Sequence, residues 1–536
     1  MSFSGVTVAD LESGKKPTMY NRWTAGVAMT IGSLFPRTAI KYVRARNALT
    51  SYAAATRQGP NKAWLPSNMS ADEIIKSEQP LLRARARSLV RDSSQVGGAL
   101  RKITNNVVFK GINPQARLKR GDKPDKNINN EVEAAFKKWA AAVDFYEKER
   151  LIIRHLWHDG ELFAHYYFDQ ELYDAGIIPL GIELMECDHL DTTKSGVKND
   201  VIPGKEGTWK QGILYSKYKR PLGYQLFLDH PGTSTWWTSN FARENVLWSG
   251  AQTGSPSATF FGSVFFDAYM TDHLFIRDRI SQNRGLPWLT SVIMEMRDFN
   301  EYQAAERIAA RLAAAFGIFV ETDFPEHIGS GISPIGGDAN SLTIDDIPDY
   351  MEPGRIQPLP PGMKVEAPSM NRPGQSYEPF TKTSLRGAST GFNMSYEAFS
   401  NDYTGASYSS ARSATLEERR GYQVQQIILL NLFHIRAWER LWRMNQISRT
   451  VENAPEAIPV KWQVPGWPWI DPLKDSKAAE TDIKNGMTSR HKILDSRGED
   501  YEEIKADLDA EKEDGFVFQD TTAINTGKKE NATVES

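Results

Sequence analysis

The stretch Thr271–Glu321, TDHLFIRDRISQNRGLPWLTSVIMEMRDFNEYQAAERIAARLAAAFGIFVE, constrains this chain more than any other. A basic, polar lead-in turns at Arg284-Gly285-Leu286-Pro287, and about seven turns of helical pattern follow. Pro287 suits a first helical turn, where a missing N–H costs little, and biases Leu286 to an extended shape. Ile293, Met296, Phe299, Ile308 and Leu312 recur at steps of three and four, with Glu295, Arg297, Asp298, Glu301, Glu306, Arg307 and Arg311 between them. The last turns are rich in alanine (Ala304, Ala305, Ala309, Ala310, Ala313, Ala314, Ala315), which favours helix and permits close backbone approach. Such a helix either covers its own core or packs against copies of itself.

The segments around it have distinct textures. Residues 1–20 carry no periodicity and read as flexible; Tyr20–Tyr52 reads as helical, with Arg37, Lys41, Arg44 and Arg46. Leu81–Arg120 holds ten Lys or Arg and one acid, Asp92, so Arg83, Arg87 and Arg91 line one helix face. That face is either simply solvated or a contact for phosphates or acidic partner subunits. Glu131–His158 reads as helix, Gly160–Asp191 and Gly212–Leu228 as strands, which makes this half α+β. After the central helix, Phe324–Gln375 is dense in Pro and Gly and too long for a simple connector. Ser376–Phe392 reads as a short helix and Asn393–Ser407 as a polar, tyrosine-bearing loop. Tyr408–Asn445 reads as a second long helix with an apolar stripe of Val424, Ile428, Ile435, Trp438 and Trp442 and a basic set of Arg419, Arg420, Arg436, Arg440 and Arg443. Pro455–Pro472 is extended; Asp471-Pro472 and Asp500-Tyr501-Glu502-Glu503 start helices, and the chain beyond Phe518 reads as disordered.

The chemistry is as informative for what it lacks. No G-x-x-x-x-G-K-[ST], HExxH or CxxC occurs, and Gly329-Ser330-Gly331 has Pro334 where a third dinucleotide-binding glycine belongs. His155, His158, Asp159 and Glu161, and Cys187, Asp188, His189 and Asp191, resemble metal sites only in composition, and a structural loop suits the first better. The reading is no enzyme, no cofactor and no metal. A net charge of −3 excludes a globally basic nucleic-acid binder; one cysteine excludes an internal disulfide. Neither a signal peptide nor an apolar run long enough to span a bilayer is visible, so the expectation is a soluble intracellular protein without membrane contact.

Several stretches together resemble the lambda-like portal proteins of tailed bacteriophages: Leu82–Gln115, His158–Phe163 (HDGELF), the RGLPWL lead-in with its Arg/Ala helix, and Ile470–Ser489. The most specific is Ser389–Arg412, STGFNMSYEAFSNDYTGASYSSAR. The likeness runs in order from about Asn21 to about Gly515; Asp92-Ser93-Ser94 departs where relatives often carry Asn.

The resemblance implies a ring of about twelve copies around a DNA channel, with long helices around the channel and a wing, stem, clip and crown. Residues 21–270 would form the α+β wing, 271–316 the first stem helix, 317–374 the clip, and 375–392 the second stem helix. Residues 393–407 would form the tunnel loop, 408–470 the long wing helix and return segment, 471–517 the helical crown, and 518–536 a disordered tail. The residues it points to are Tyr396, Asn401, Asp402 and Tyr403 in the tunnel loop. To these it adds Ala304, Ala305, Arg307, Ala309 and Arg311 for stem packing, and Arg83, Arg87, Arg91 and Arg412 for basic wing contacts. The implied partners are double-stranded DNA without sequence preference, the terminase large subunit, the major capsid and scaffold proteins, and a head-completion or tail-adaptor protein. The implied location is the virion's portal vertex, after assembly in the bacterial cytoplasm. A minor capsid or scaffold-type protein without a pore, and a terminase or nuclease of the packaging machinery, are the alternatives; the missing P-loop opposes an ATPase.

Overall fold

The computed structural model describes residues 68–121, 123–196, 206–232, 263–315, 319–322, 363–366, 374 and 376–513. The expectations for 1–20, for Tyr20–Tyr52, for nearly all of 317–374 and for the tail beyond 513 lie outside these residues. Ala71–Ser536 forms one compact unit.

Helices α1 (Ala71–Asp92) and α2 (Ser94–Val107) open the described chain, with Asp72 and Glu73 placed at the positive end of the α1 dipole. Strand β1 (Asn113–Ala116) and the hairpin of β2 (Lys119–Arg120) and β3 (Lys123–Pro124) lead into α3 (Lys126–Ala142), whose N-cap Asp125 accepts from Ile128 N. The helical run expected over Glu131–His158 is two helices. Asp144 adopts a left-handed φ of 52°, ending α3 and restarting the chain as α4 (Phe145–His158).

Two antiparallel sheets follow. Strands β4 (Glu161–Phe168) and β5 (Leu180–Glu186) are joined through the short α5 (Gln170–Asp174). The second sheet has the order β6 (Thr208–Lys210), β7 (Ile213–Tyr215), β8 (Pro221–Phe227), β9 (Ser263–Asp267). The first sheet is completed by β10 (Thr271–Phe275), which pairs with β4 so that His273 faces Phe163 in the ladder. Phe163, Met185, Tyr224, Leu226 and Phe266 are buried in one apolar cluster shared by the two sheets.

The lead-in of the central stretch is therefore not part of a stem helix. Thr271–Phe275 is a strand buried along nearly its whole length and paired with β4, and Trp288–Ser291 is one 3₁₀ turn. The helix α6 begins at Ile293 and runs to Ala315. Ile293, Met296 and Phe299 are buried as expected, whereas Ile308 is exposed and Leu312 lies among side chains outside the description. Short strands β11 (Phe319–Thr322) and β12 (Met363–Glu366) pair antiparallel, joining the chain just before the Pro/Gly-rich excursion to a segment within its last third.

Helix α7 (Tyr377–Gly391) is followed by a single-turn α8 (Tyr396–Ser400) and by α9 (Tyr408–Leu429), which Ser407 and Ser410 cap reciprocally. One π-helical turn, Leu430–His434, joins α9 to α10 (Ile435–Ser448). The buried face differs from the expected stripe. It runs through Tyr422, Gln425, Gln426, Leu429, Phe433, Trp438, Leu441 and Trp442, while Val424 and Ile435 face outward. Two glutamines occupy it because each has a partner: Gln426 Nε2 donates to Val107 O (3.1 Å) and Pro465 O (2.9 Å), and Gln425 Oε1 accepts from Trp157 Nε1. The wider turn also shifts the face by part of a turn between α9 and α10. Strand β13 (Val460–Gln463) returns to pair with β1. Helices α11 (Pro472–Lys484), α12 (Arg490–Ser496) and α13 (Tyr501–Glu513) complete the description, α11 with Asp471 as N-cap and Pro472 at the first position.

Candidate functional site

Helices α6 and α7 pack side by side, and two glycines set how closely. A Cβ on Gly387 would lie 2.3 Å from Glu295 Oε1, and one on Gly391 would lie 2.1 Å from Val292 Cγ1. Tyr302 fills the outer end of the seam against Phe380, with ring centroids 4.5 Å apart. This pairing uses the first half of α6. Further along, Ala304, Ala305, Arg307 and Arg311 are exposed and Ala309 is half-buried; neither arginine forms an ion pair among the described residues.

The connection from α7 to α9 is more ordered than its polar composition suggests. Phe392 is fully buried and stacks on Trp157 (5.7 Å), and Phe399 packs on Phe392 (5.0 Å). Ser395 caps α8 by accepting from Ala398 N, while its own N–H donates to Glu418 Oε1 at 2.7 Å. Asn401 takes a left-handed φ of 59°, and its side-chain oxygen accepts from Lys102. Asp402 closes the turn. Its carboxylate accepts from the hydroxyl and the N–H of Thr404 and from Tyr396 Oη (2.7 Å), with Lys382 Nζ 3.7 Å away. These hydrogen bonds, Thr404 first and Tyr396 next, hold Asp402 well below the usual carboxylate range. Arg386 lies over the Tyr396 ring at 5.1 Å. The part free of packing is Tyr403–Ser407, and Tyr403, 61% exposed, carries the one large ring at its tip.

The basic face divides. Arg83 and Arg87 turn inward: Arg83 pairs with Asp188 (3.0 Å), and Arg87 pairs with Asp159 (2.6 Å), Glu186 (2.8 Å) and Asp188 (2.6 Å). They are therefore neither a solvated face nor an outward contact, because acids just after α4 (Asp159) and at and just after the end of β5 (Glu186, Asp188) neutralise them within the chain. Arg91 is exposed and, among the described residues, pairs with Asp92 alone. Arg412 ties α9 to α11 through Asp475 at 2.8 Å. The arginines of α10 are likewise taken up: Arg436 and Arg440 hold the buried Asp272, and Arg440 lies 4.3 Å over the Tyr166 ring.

The two metal-like clusters resolve the same way. Burial would raise Asp159, but hydrogen bonds from His155, His158 and Arg87 outweigh it and leave the carboxyl well below its ordinary value. Glu186, Asp188 and His230 approach one another, with Arg87 already on both carboxylates. In the second expected set the groups diverge, His189 Nδ1 bonding Phe227 O and Asp191 accepting from Thr193. A guanidinium stands where a cation would.

Sequence reasoning missed the buried polar centre. Glu161, fully enclosed, accepts from Arg284 Nε (2.8 Å), Gly285 N (2.7 Å), Gln79 Nε2 (2.8 Å) and His273 Nε2 (2.8 Å). Burial works against its charge, yet Arg284 and then His273 hold it well below the ordinary glutamate value. Gly160, at φ 83°, and Gly285 touch backbone to backbone, and a Cβ on Gly160 would lie 2.1 Å from Leu286 C. A second enclosed pair, Glu149 with His434 Nε2 at 2.5 Å, fixes α4 to the π-helical turn. An acid inside an apolar strand pattern was the available signal for Glu161; nothing local marks Glu149.

A model of the phage portal protein, lambda family, matches residues 57–426. The chain belongs to this family. Among curated relatives, the probable portal protein of Halomonas phage phiHAP-1 is 26% identical over 477 residues, covering 84% of each chain. Portal protein B of Escherichia phage lambda is 23% identical over 498 residues, covering 84% of this chain and 86% of its own. A chain from the neck of a native GTA particle computed with C12 symmetry aligns with 79% of this chain and 99% of its own. Its identity is 10% and its TM-score 0.36, too low to carry an argument. The two portal motifs HDGELF and RGLPWL, 121 residues apart at their nearest ends, meet at Glu161 and Gly285. In this portal protein they weld β4 to the entry of α6. No helix among the described residues is long and apolar enough to cross a membrane.

Proposed function

We propose that this portal protein forms a closed ring of about twelve copies at one capsid vertex, and that the ring is the channel for packaging and ejecting double-stranded DNA. The family match across residues 57–426 carries this reading. In it, α6 and α7 are the stem, 317–374 the clip that receives the terminase large subunit and later a head-completion or tail-adaptor protein, and 393–407 the tunnel loop. The sheets and the long α9–α10 helix belong to the wing, which meets the capsid and scaffold proteins, and α11–α13 form the crown. Ala304, Ala305, Arg307, Ala309 and Arg311 face the neighbouring copy, and assembly takes place in the host cytoplasm. The protein supplies position and symmetry rather than chemistry, and the force comes from a separate ATPase.

DNA presents one negative charge per about 1.7 Å of axis, and a conduit that bound it tightly would stall. The loop suits a weak contact. Asp402 is spent on internal hydrogen bonds and fixes the turn, leaving Tyr403 to present a flat ring and a hydroxyl. The test is deletion of Asp402–Ala406 in assembled particles. The expected result is normal rings and capsid incorporation with less DNA per particle. Normal DNA content and infectivity would remove the channel role of this loop.

A further inference from the structure

The long helix and α6 each carry a second apolar face that the chain leaves bare. On α9, Leu416, Val424 (55% exposed) and Ile427 (56%) fall within about one-quarter of the helix circumference, and Ile435 is exposed just beyond the π-helical turn. On α6, Met294 and Ile308 (51% exposed) lie on one side, with Ala305 and the acids Asp298 and Glu301 between them. Neither face is the one each helix buries in its own core. We propose that the outer face of α9–α10 in one copy docks on the outer face of α6 in the next copy; this rests on the ring reading above.

Three features favour a second copy over another partner. Branched aliphatics on one helix meet small residues on the other, the pairing that lets a ridge enter a groove. The faces are also of similar extent: Met294–Ile308 spans roughly 21 Å and Leu416–Ile427 roughly 16 Å, at 1.5 Å per residue. Their charges are complementary: Arg420 lies within the α9 face with only an exposed intrahelical pairing to Glu417 (3.4 Å), which a second carboxylate can share, and the α6 face carries Asp298, which has no ion-pair partner among the described residues, beside Glu301, which pairs with Arg297. Because the two faces differ, the contact is head-to-tail, the kind that closes into rings rather than dimers.

The chain's single cysteine is buried, so introduced cysteines report without background. The variant V424C/I308C, oxidised as assembled ring, should give a ladder of covalent multimers, and neither single variant should. V424E/I427E should leave circular dichroism and the thermal midpoint near wild type, since both residues are exposed, while abolishing rings. A ladder from V424C alone, or rings of normal yield from V424E/I427E, would overturn the contact. Wild-type protein run alongside separates the two claims: if it also forms no rings, the ring reading fails and takes this contact with it. If wild-type rings form but the paired cysteines stay unlinked, only the contact fails.

Discussion

Replacing Glu161 by glutamine keeps the shape of the buried centre but leaves Arg284 as a cation with no counter-charge, 2% exposed. Breaking one side of such a pair costs about 3–5 kcal/mol, so E161Q should lower the denaturation midpoint sharply. An unchanged midpoint would remove the centre from the account of stability. Histidines set the acid response. Burial pushes His165 down to about 4, so the folded chain refuses a proton that the unfolded chain accepts below about 6.5. Stability from this group is therefore intact above that value and falls as the pH drops from 6.5 toward 4, by roughly 3 kcal/mol. His273, lowered by burial despite Glu161, acts in the same sense. Glu149, raised by burial, acts in the opposite one, and Asp159 and Glu161 lose their contributions as the pH falls through their ordinary values, 3.8 and 4.5, and below. Urea titrations at pH 7.5 and 4.5 should show the drop, and His165→Gln should shrink it.

At the scale of elements, the same basic helix face makes opposite predictions at neighbouring turns. Arg87→Glu places a negative charge among Asp159, Glu186 and Asp188 and should destabilise the fold by several kcal/mol. Arg91→Glu, on an exposed pair, should leave the thermal midpoint near wild type. Thermal melts of the two variants check this directly, and equal effects would contradict the inward orientation of Arg87. The sequence pattern alone could not separate them, because a spacing of four puts both on one face without saying where the acids of β5 return. Helix existence was legible in α6, α7 and the long helix, since apolar spacing is local. The strand at Thr271–Phe275 was not, because its identity depends on the ladder with β4, more than a hundred residues earlier. The outward turn of Val424 and Ile435 was also hidden. Buried Gln425 and Gln426 find partners only across the fold, and the π-helical turn resets the register.

On the scale of the whole molecule, several arginines of α1, α9 and α10 are matched by acids of the same chain. Arginines that composition offers to DNA are matched by Asp188, Asp159, Asp272 and Asp475, which suits a passage for DNA better than a grip on it. What the chain leaves bare on α6 and α9 includes apolar and small residues, Ala304, Ala305 and Ile308 on α6 and Val424 and Ile427 on α9, beside Arg307 and Arg311, which form no ion pair among the described residues. That distribution belongs to a subunit that completes itself against copies of itself. The most direct test is the mass of the purified protein by light scattering, joined to electron microscopy of the same sample. The account predicts closed rings with a central hole and a mass about twelve times that of the 60.3 kDa chain; a monomer or dimer at every concentration and salt would contradict it.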